Sequence, residues 1–107
     1  MEAIIDRIPV EALEAELTND KLVRKSNNGS NLIYIFTHQN APLLMKEIGR
    51  LRELTFREAG GGTGKPIDID EYDDCEIPYQ QLIVWNPIER EIMGGYRFIR
   101  CADAYDA

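Results

Sequence analysis

The chain has 107 residues, enough for one domain built around one modest core. Hydrophobic residues make up 44% of it and charged residues 29%, a balance that excludes an intrinsically disordered chain. The formal net charge of -7 excludes nonspecific nucleic-acid binding, which needs a basic surface to displace counterions from phosphates.

Residues 9–18 (PVEALEAELT) place Val10, Leu13 and Leu17 at helical spacing, with Pro9 suited to the first turn. Two extended runs follow, Lys21–Lys25 and Asn31–Thr37, separated by Ser26-Asn27-Asn28-Gly29-Ser30. Asn-Gly between such runs predicts a hairpin, because both residues tolerate positive φ. Leu32–Phe36 is apolar almost throughout, which predicts a strand covered on both faces. After a turn at His38-Gln39-Asn40-Ala41-Pro42, the spacing predicts a helix over Leu43–Glu58. Its expected buried stripe is Leu44, Ile48, Leu51 and Leu54/Thr55, with Met45, Arg52 and Phe56 to one side. Arg52 and Phe56, four apart, can meet on one helix face. Tyr79–Asn86 and Glu91–Arg100 read as two further strands joined by a turn around Pro87. With no repeat and no linker, residues 1–107 are read as a single α+β domain. A mostly antiparallel sheet with flanking helices is expected, its last strand left without a partner on one side.

The Gly60-Gly61-Gly62-Thr63-Gly64-Lys65 run imitates a phosphate-binding loop and fails its requirements. The first required glycine is Ala59, Lys65 is followed by Pro66 rather than Ser or Thr, and the run follows a helix instead of preceding one. It reads as a helix stop or an active-site loop. The acidic run Asp68–Asp74 lacks the turn glycine and the distant bidentate glutamate of a calcium loop, so no metal site is expected. His38 reads as a turn residue. Cys75 lies between Asp74 and Glu76, which makes it a poor thiolate nucleophile, and there is no Gly-x-Ser-x-Gly elbow. The residues alone therefore assign no catalytic nucleophile. With Cys75 and Cys101 as the only cysteines, reduced thiols are expected. No signal-length apolar run and no stretch near the roughly 20 residues of a membrane span is present, so the protein is expected in the cytoplasm.

Arg97 is the informative charge. Alternation over Glu91–Arg100 puts it on one face with Met93, Gly95, Ile99 and Cys101, among apolar neighbours. A guanidinium there needs carboxylate partners, and Asp70 and Asp73 are the candidates. If those partners are buried, Arg97→Ala is expected to cost on the order of 3–5 kcal/mol. Gly94-Gly95 within a strand predicts a bulge or a close approach by another group.

Three ordered pieces resemble a known family. Leu51-Arg52-Glu53-Leu54-Thr55-Phe56-Arg57 resembles the Leu-Arg-x-x-x-Phe helix of acyl-homoserine-lactone synthases. Asp70-Glu71-Tyr72-Asp73 resembles their Asp-x-[Phe/Tyr]-Asp loop, and Gly94-Gly95-Tyr96-Arg97-Phe98 the strand carrying their essential arginine. Residues Glu47–Phe98 are also similar to ornithine-lipid synthases and to bacterial proteins labelled hemolysins. The resemblance implies a partial GNAT fold. It also implies an enzyme that moves a fatty acyl group from acyl carrier protein or coenzyme A, as co-substrate, to an amine such as an amino acid, with no permanently bound cofactor. Carried over, Arg52, Phe56, Asp70, Asp73 and Arg97 would line the acceptor side as a cluster of opposed charges. Docking of an acidic carrier protein would need a local basic face, for which Lys46, Arg50, Arg57 and Lys65 are the candidates. The family's donor-binding elements and its further glutamate lie downstream of the arginine strand, so this chain is expected to be the N-terminal part of the acyltransferase domain. The rival expectation is a non-catalytic module whose open strand pairs with a second copy. A membrane-damaging role finds no amphipathic basic helix to support it.

Overall fold

The computed structural model describes residues 2–26, 29–70, 73, 76 and 78–99. Helix α1 (Val10–Glu16) leads through a short 3-10 turn at Asn19–Lys21 into strands β1 (Leu22–Lys25) and β2 (Leu32–Phe36). Helix α2 (Pro42–Glu58) follows, then β3 (Gln80–Asn86) and β4 (Glu91–Phe98). The strands form one antiparallel sheet in the order β1-β2-β3-β4, with Leu32 opposite Trp85, Tyr34 opposite Ile83 and Phe36 opposite Gln81.

Ser26 N–H donates to Asn31 O across the β1–β2 turn, and Gly29 has φ +90° there. The Asn27-Asn28 part of the predicted turn lies outside the described residues. Pro42 opens α2, whose N-cap residue Ala41 contributes no side-chain cap. The cap comes instead from α1: the Glu16 carboxylate accepts from Leu43 N–H at 3.1 Å and Leu44 N–H at 2.7 Å. At the other end Gly60 adopts φ +90°, Gly60 N–H donates to Arg57 O and Gly61 N–H to Phe56 O. That pair of bonds is a Schellman stop, which a left-handed glycine permits.

The core lies between the sheet and the two helices. Leu13 of α1, Leu44 of α2, Ala41, Tyr34, Phe36, Ile83 and Trp85 are buried together, with Val10, Leu17, Leu32, Ile48 and Ile92 packed against them. Each large side chain so buried contributes about 1.5–3 kcal/mol of transfer free energy. Both helices contribute to this one face. On the opposite face Ile33, Ile35, Leu82 and Val84 are half-buried and Tyr96 is exposed, so the expected cover on both faces of β2 is only partial.

Two expectations need correction. In α2 the stripe is right at Leu44 and Ile48, but Leu51 is only half-buried and Leu54 and Thr55 are exposed. Beyond Ile48 the predicted stripe runs along an open cleft instead of a packed layer. The helix side opposite is the covered one: Met45, Glu47, Gly49 and Glu53 are buried. There the segment after α2 crosses back over the helix, with Asp68 N–H bonded to Gly49 O at 3.0 Å and the side chains of Ile67 and Ile69 against Gly49. Residues at the N-terminus run beside that segment, through Glu2 N–H to Gly64 O and Ile5 N–H to Pro66 O. In β4 the ladder shifts register, Val84 pairing with Gly94 and Trp85 with Ile92, so Met93 is an extra, exposed residue. The expected face of Met93, Gly95 and Arg97 is in fact the face of Ile92, Gly95 and Arg97. Gly95 also meets the expected close approach, since a Cβ there would stand 2.5 Å from Leu82 O.

Candidate functional site

An open cleft of about 390 Å³ lies between the second half of α2 and strands β3 and β4. Ile48, Leu51, Arg52, Thr55 and Phe56 form its helical wall; Gln81, Ile83 and Gly95 are among its sheet residues, and Ile92 and Met93 lie at the far end of β4. Helical spacing brings Arg52 and Phe56 to the same wall, as expected. Phe56 is 49% exposed there, so it offers an apolar surface rather than a core contact.

One end of the cleft is closed by an ion cluster. Asp73 is completely buried and receives four donors. Arg52 Nη1 donates to its Oδ2 at 2.9 Å, Asp70 N–H to Oδ2 at 3.1 Å and Gln81 Nε2 to Oδ1 at 2.8 Å; Arg97 Nη1 lies 3.3 Å from Oδ1. Arg97 Nη1 also donates to Asp70 Oδ1 at 2.7 Å, and its guanidinium lies 5.5 Å from the centre of the Tyr79 ring. The Asp70 hydrogen bond, against the cost of burial, raises the Arg97 pKa and holds the side chain cationic. Asp73 N–H bonds Asp70 O at 3.1 Å, a turn that presents both carboxylates to the arginines. Two arginines and two aspartates leave the cluster formally neutral, which is how charges survive beside a core.

The structure thus joins Arg52, Asp70, Asp73 and Arg97 and sets Phe56 beside them on the cleft. It adds Gln81, which sequence reading passed over. Gln81 is buried, accepts from Arg52 Nη2 at 2.8 Å and donates to Asp73. The available signal was a pair of glutamines, Gln80-Gln81, at the head of the apolar run Leu82–Trp85. Arg52 uses two N–H donors in these bonds. Its remaining N–H groups have no partner among the described residues, and its side chain is one-fifth exposed on the cleft. A guanidinium so placed can receive a carboxylate.

The glycine-rich loop is organised around a second buried carboxylate. Glu53 accepts from Thr63 N–H at 2.9 Å, Thr63 Oγ1 at 2.6 Å, Gly64 N–H at 3.0 Å and Arg57 Nε at 2.5 Å. These bonds, the Thr63 hydroxyl first, lower its pKa to about 2 despite burial. An internal anion therefore occupies the backbone N–H groups that a phosphate-binding loop would offer to a ligand.

The four candidate docking cations do not behave alike. Lys46 and Lys65 are exposed. Arg50 is held by both oxygens of Glu47 at 2.7 and 2.8 Å, and Arg57 is held by Glu53 and donates to Lys65 O. Glu71, Tyr72, Asp74, Cys75, Arg100 and Cys101 lie outside the described residues. Among the described residues no group of His, Cys, Asp and Glu is placed to hold a metal ion, and no helix is long and apolar enough to cross a membrane.

Comparison with known proteins gives this geometry a family. A glycine N(alpha)-acyltransferase of Bacteroides thetaiotaomicron is 60% identical over 103 residues, covering 96% of this chain and 31% of that protein. One of Phocaeicola vulgatus is 60% identical over 99 residues, covering 92% of this chain and 30% of its own length. The chain thus spans under a third of these curated relatives. No solved structure matches it. A family model described as an acetyltransferase (GNAT) domain matches residues 51–107, a stretch that contains Arg52, Phe56, Asp70, Asp73, Gln81 and Arg97. The chain belongs to the GNAT acetyltransferase family.

Proposed function

We propose that this chain supplies the acceptor side of an N-acyltransferase that moves a fatty acyl group from a thioester to an amino acid, with glycine as the first acceptor to test. The arrangement of Arg52 carries the reading: a guanidinium fixed by Asp73 and Gln81 and one-fifth exposed on the lining of an open cleft. It suits the carboxylate of an amino acid, while Asp70, nearly half exposed, is a counter-charge for an ammonium. The names of the two relatives favour glycine. In the reaction the deprotonated amine attacks the thioester carbonyl carbon, the C–N bond forms, the C–S bond breaks and the sulfur leaves as a thiolate. The proton lost by the nitrogen passes, through a base that no described residue is assigned to be, to that thiolate.

The donor is acyl carrier protein or coenzyme A, which places the reaction in the cytoplasm. Lys46 and Lys65 are the exposed cations available for docking an acidic carrier, whereas Arg50 and Arg57 are already tied to glutamates. The chain is the N-terminal portion of the catalytic domain in this reading. Subtypes that make homoserine lactones or ornithine lipids are further members of the same acceptor class to be tried.

The test is acyl transfer by the 107-residue chain and by the protein of its full natural reading frame, with long-chain acyl carrier protein, acyl-coenzyme A and a panel of amino acids. Glycine acylation that is lost in Arg52→Gln, with folding intact by circular dichroism, supports the reading. A folded, inactive dimer from both versions favours a binding module, for which the open apolar sheet face is the supporting observation.

A further inference from the structure

The cleft is polar at one end and apolar along the rest. Arg52 and Gln81 stand at the charged end. From there the trough follows β3 and β4 past Ile83 to Ile92, with Ile48 and Leu51 on its helical side. Gln81 to Trp85 is four residues, about 13 Å at ~3.3 Å per strand residue, with Ile92 paired opposite Trp85. Its margin is unusually apolar for a surface: Phe56 is 49% and Met93 53% exposed, and both line the same opening. A free amino acid such as glycine would use only the charged end. It would leave the length of the trough wetted, which is unfavourable for apolar walls.

We infer that this cleft binds the N-acyl amino acid, with its carboxylate on Arg52 and its alkyl chain along Ile48, Leu51, Ile83 and Ile92. The assignment rests on the acyl-transfer reading and extends it to the product. A ligand with one carboxylate and one long apolar chain matches both ends of the cleft at once. The remaining Arg52 donors meet the carboxylate, and the chain covers the half-buried Ile48, Leu51 and Ile92 and the exposed Phe56 and Met93 above the floor at Ile83. The product therefore competes with the incoming amino acid for Arg52, and long-chain products restrain turnover while short-chain ones do not.

The experiment reads binding, so it stands apart from any assay of turnover. Calorimetry with this chain would compare N-dodecanoylglycine, N-acetylglycine, N-dodecanoylglycinamide and dodecanoic acid. N-dodecanoylglycine is expected to bind at least about tenfold more tightly than each of the other three. Met93→Asp, at an exposed bulge position on the lining of the cleft, is expected to weaken it by about tenfold. Equal binding of N-acetylglycine removes the apolar part of the assignment, and equal binding of the glycinamide removes Arg52. Equal binding of dodecanoic acid overturns the amino-acid moiety, and unchanged binding by Met93→Asp overturns the placement of the chain. If these ligands bind as expected and the full-length protein transfers no acyl group, the acyl-transfer reading fails while the cleft assignment survives.

Discussion

Gln81 and Arg97 stand opposite each other across β3 and β4, and the buried amide of Gln81 links Arg52 to Asp73 behind the cleft. A neutral side chain thus completes a cluster of four charges, with its oxygen turned to a cation and its nitrogen to an anion. The order of importance within that cluster follows from burial. Asp73 is completely enclosed, whereas Arg97 is about one-third exposed and Asp70 more so.

Replacement of Asp73 by Ala is therefore expected to cost about 3–5 kcal/mol, because it leaves two arginines without their shared counter-charge. Arg97→Ala should cost less, about 1–2 kcal/mol, since Arg52 and Gln81 still satisfy Asp73 and Asp70 can turn to water. That corrects the larger figure expected when both carboxylates are taken as buried. Urea unfolding of the two variants gives the order directly, and a larger loss for Arg97→Ala would contradict it.

Gly49 is where the returning segment crosses α2. A Cβ added there would stand 2.7 Å from Ile69 Cγ1, and closer still to Ile67 Cγ1. Gly49→Ala is expected to destabilise by about 1–3 kcal/mol through overpacking, although alanine is the better helix former. A rise in Tm would show that Ile67 and Ile69 yield freely.

Glu53 makes an acid-sensitive latch. Its folded pKa of about 2 lies below its ordinary 4.5, so the stabilisation is full above pH 4.5 and disappears as the pH falls through 2. Glu53→Gln should lower stability at neutral pH and flatten the dependence on pH between those values. Acid titration of unfolding midpoints checks this; parallel curves for the two proteins would count against it.

Glu16 caps a helix it does not belong to. Its removal in Glu16→Ala leaves the Leu43 and Leu44 N–H groups without that acceptor and is expected to cost about 1 kcal/mol. Glu16→Gln should retain part of the effect, as an acceptor without the charge that favours a helix N-terminus. Thermal melts of both variants separate the two contributions, and equal losses would assign the whole effect to charge.

The order of elements was legible because periodicity reports burial on a regular scaffold. Val10, Leu13 and Leu17 mark α1, and the apolar run Leu32–Phe36 marks β2, although only Leu32, Tyr34 and Phe36 face the core. The Arg97–Asp70–Asp73 pairing was legible too, since a charge on an apolar strand demands a counter-charge. Glu47 and Glu53 were not. On a helix, glutamates read as a solvated face, and periodicity cannot report that Ile8 N–H from the N-terminal segment reaches Glu47 or that the later glycine-rich loop returns to cover Glu53. Gly49, costly in a helix interior, was the one local sign of that crossing. Gln81 escaped for the opposite reason, because an uncharged amide raises no electrostatic demand until its neighbours are known.

The extra residue in β4 settles a question of parity. Strict alternation from Ile92 would send residues 94, 96 and 98 inward and turn Arg97 to the far side of the sheet. With Met93 set out of the ladder as a bulge, Ile92 reaches the core and Arg97 still reaches Asp70 and Asp73. A chain lacking Met93 alone would keep nearly the same composition and the same helices. It would return β4 to plain alternation with Ile92 and Arg97 both inward. The bulge is therefore what lets this strand carry one residue more than its partner without parting its core contact from its charges.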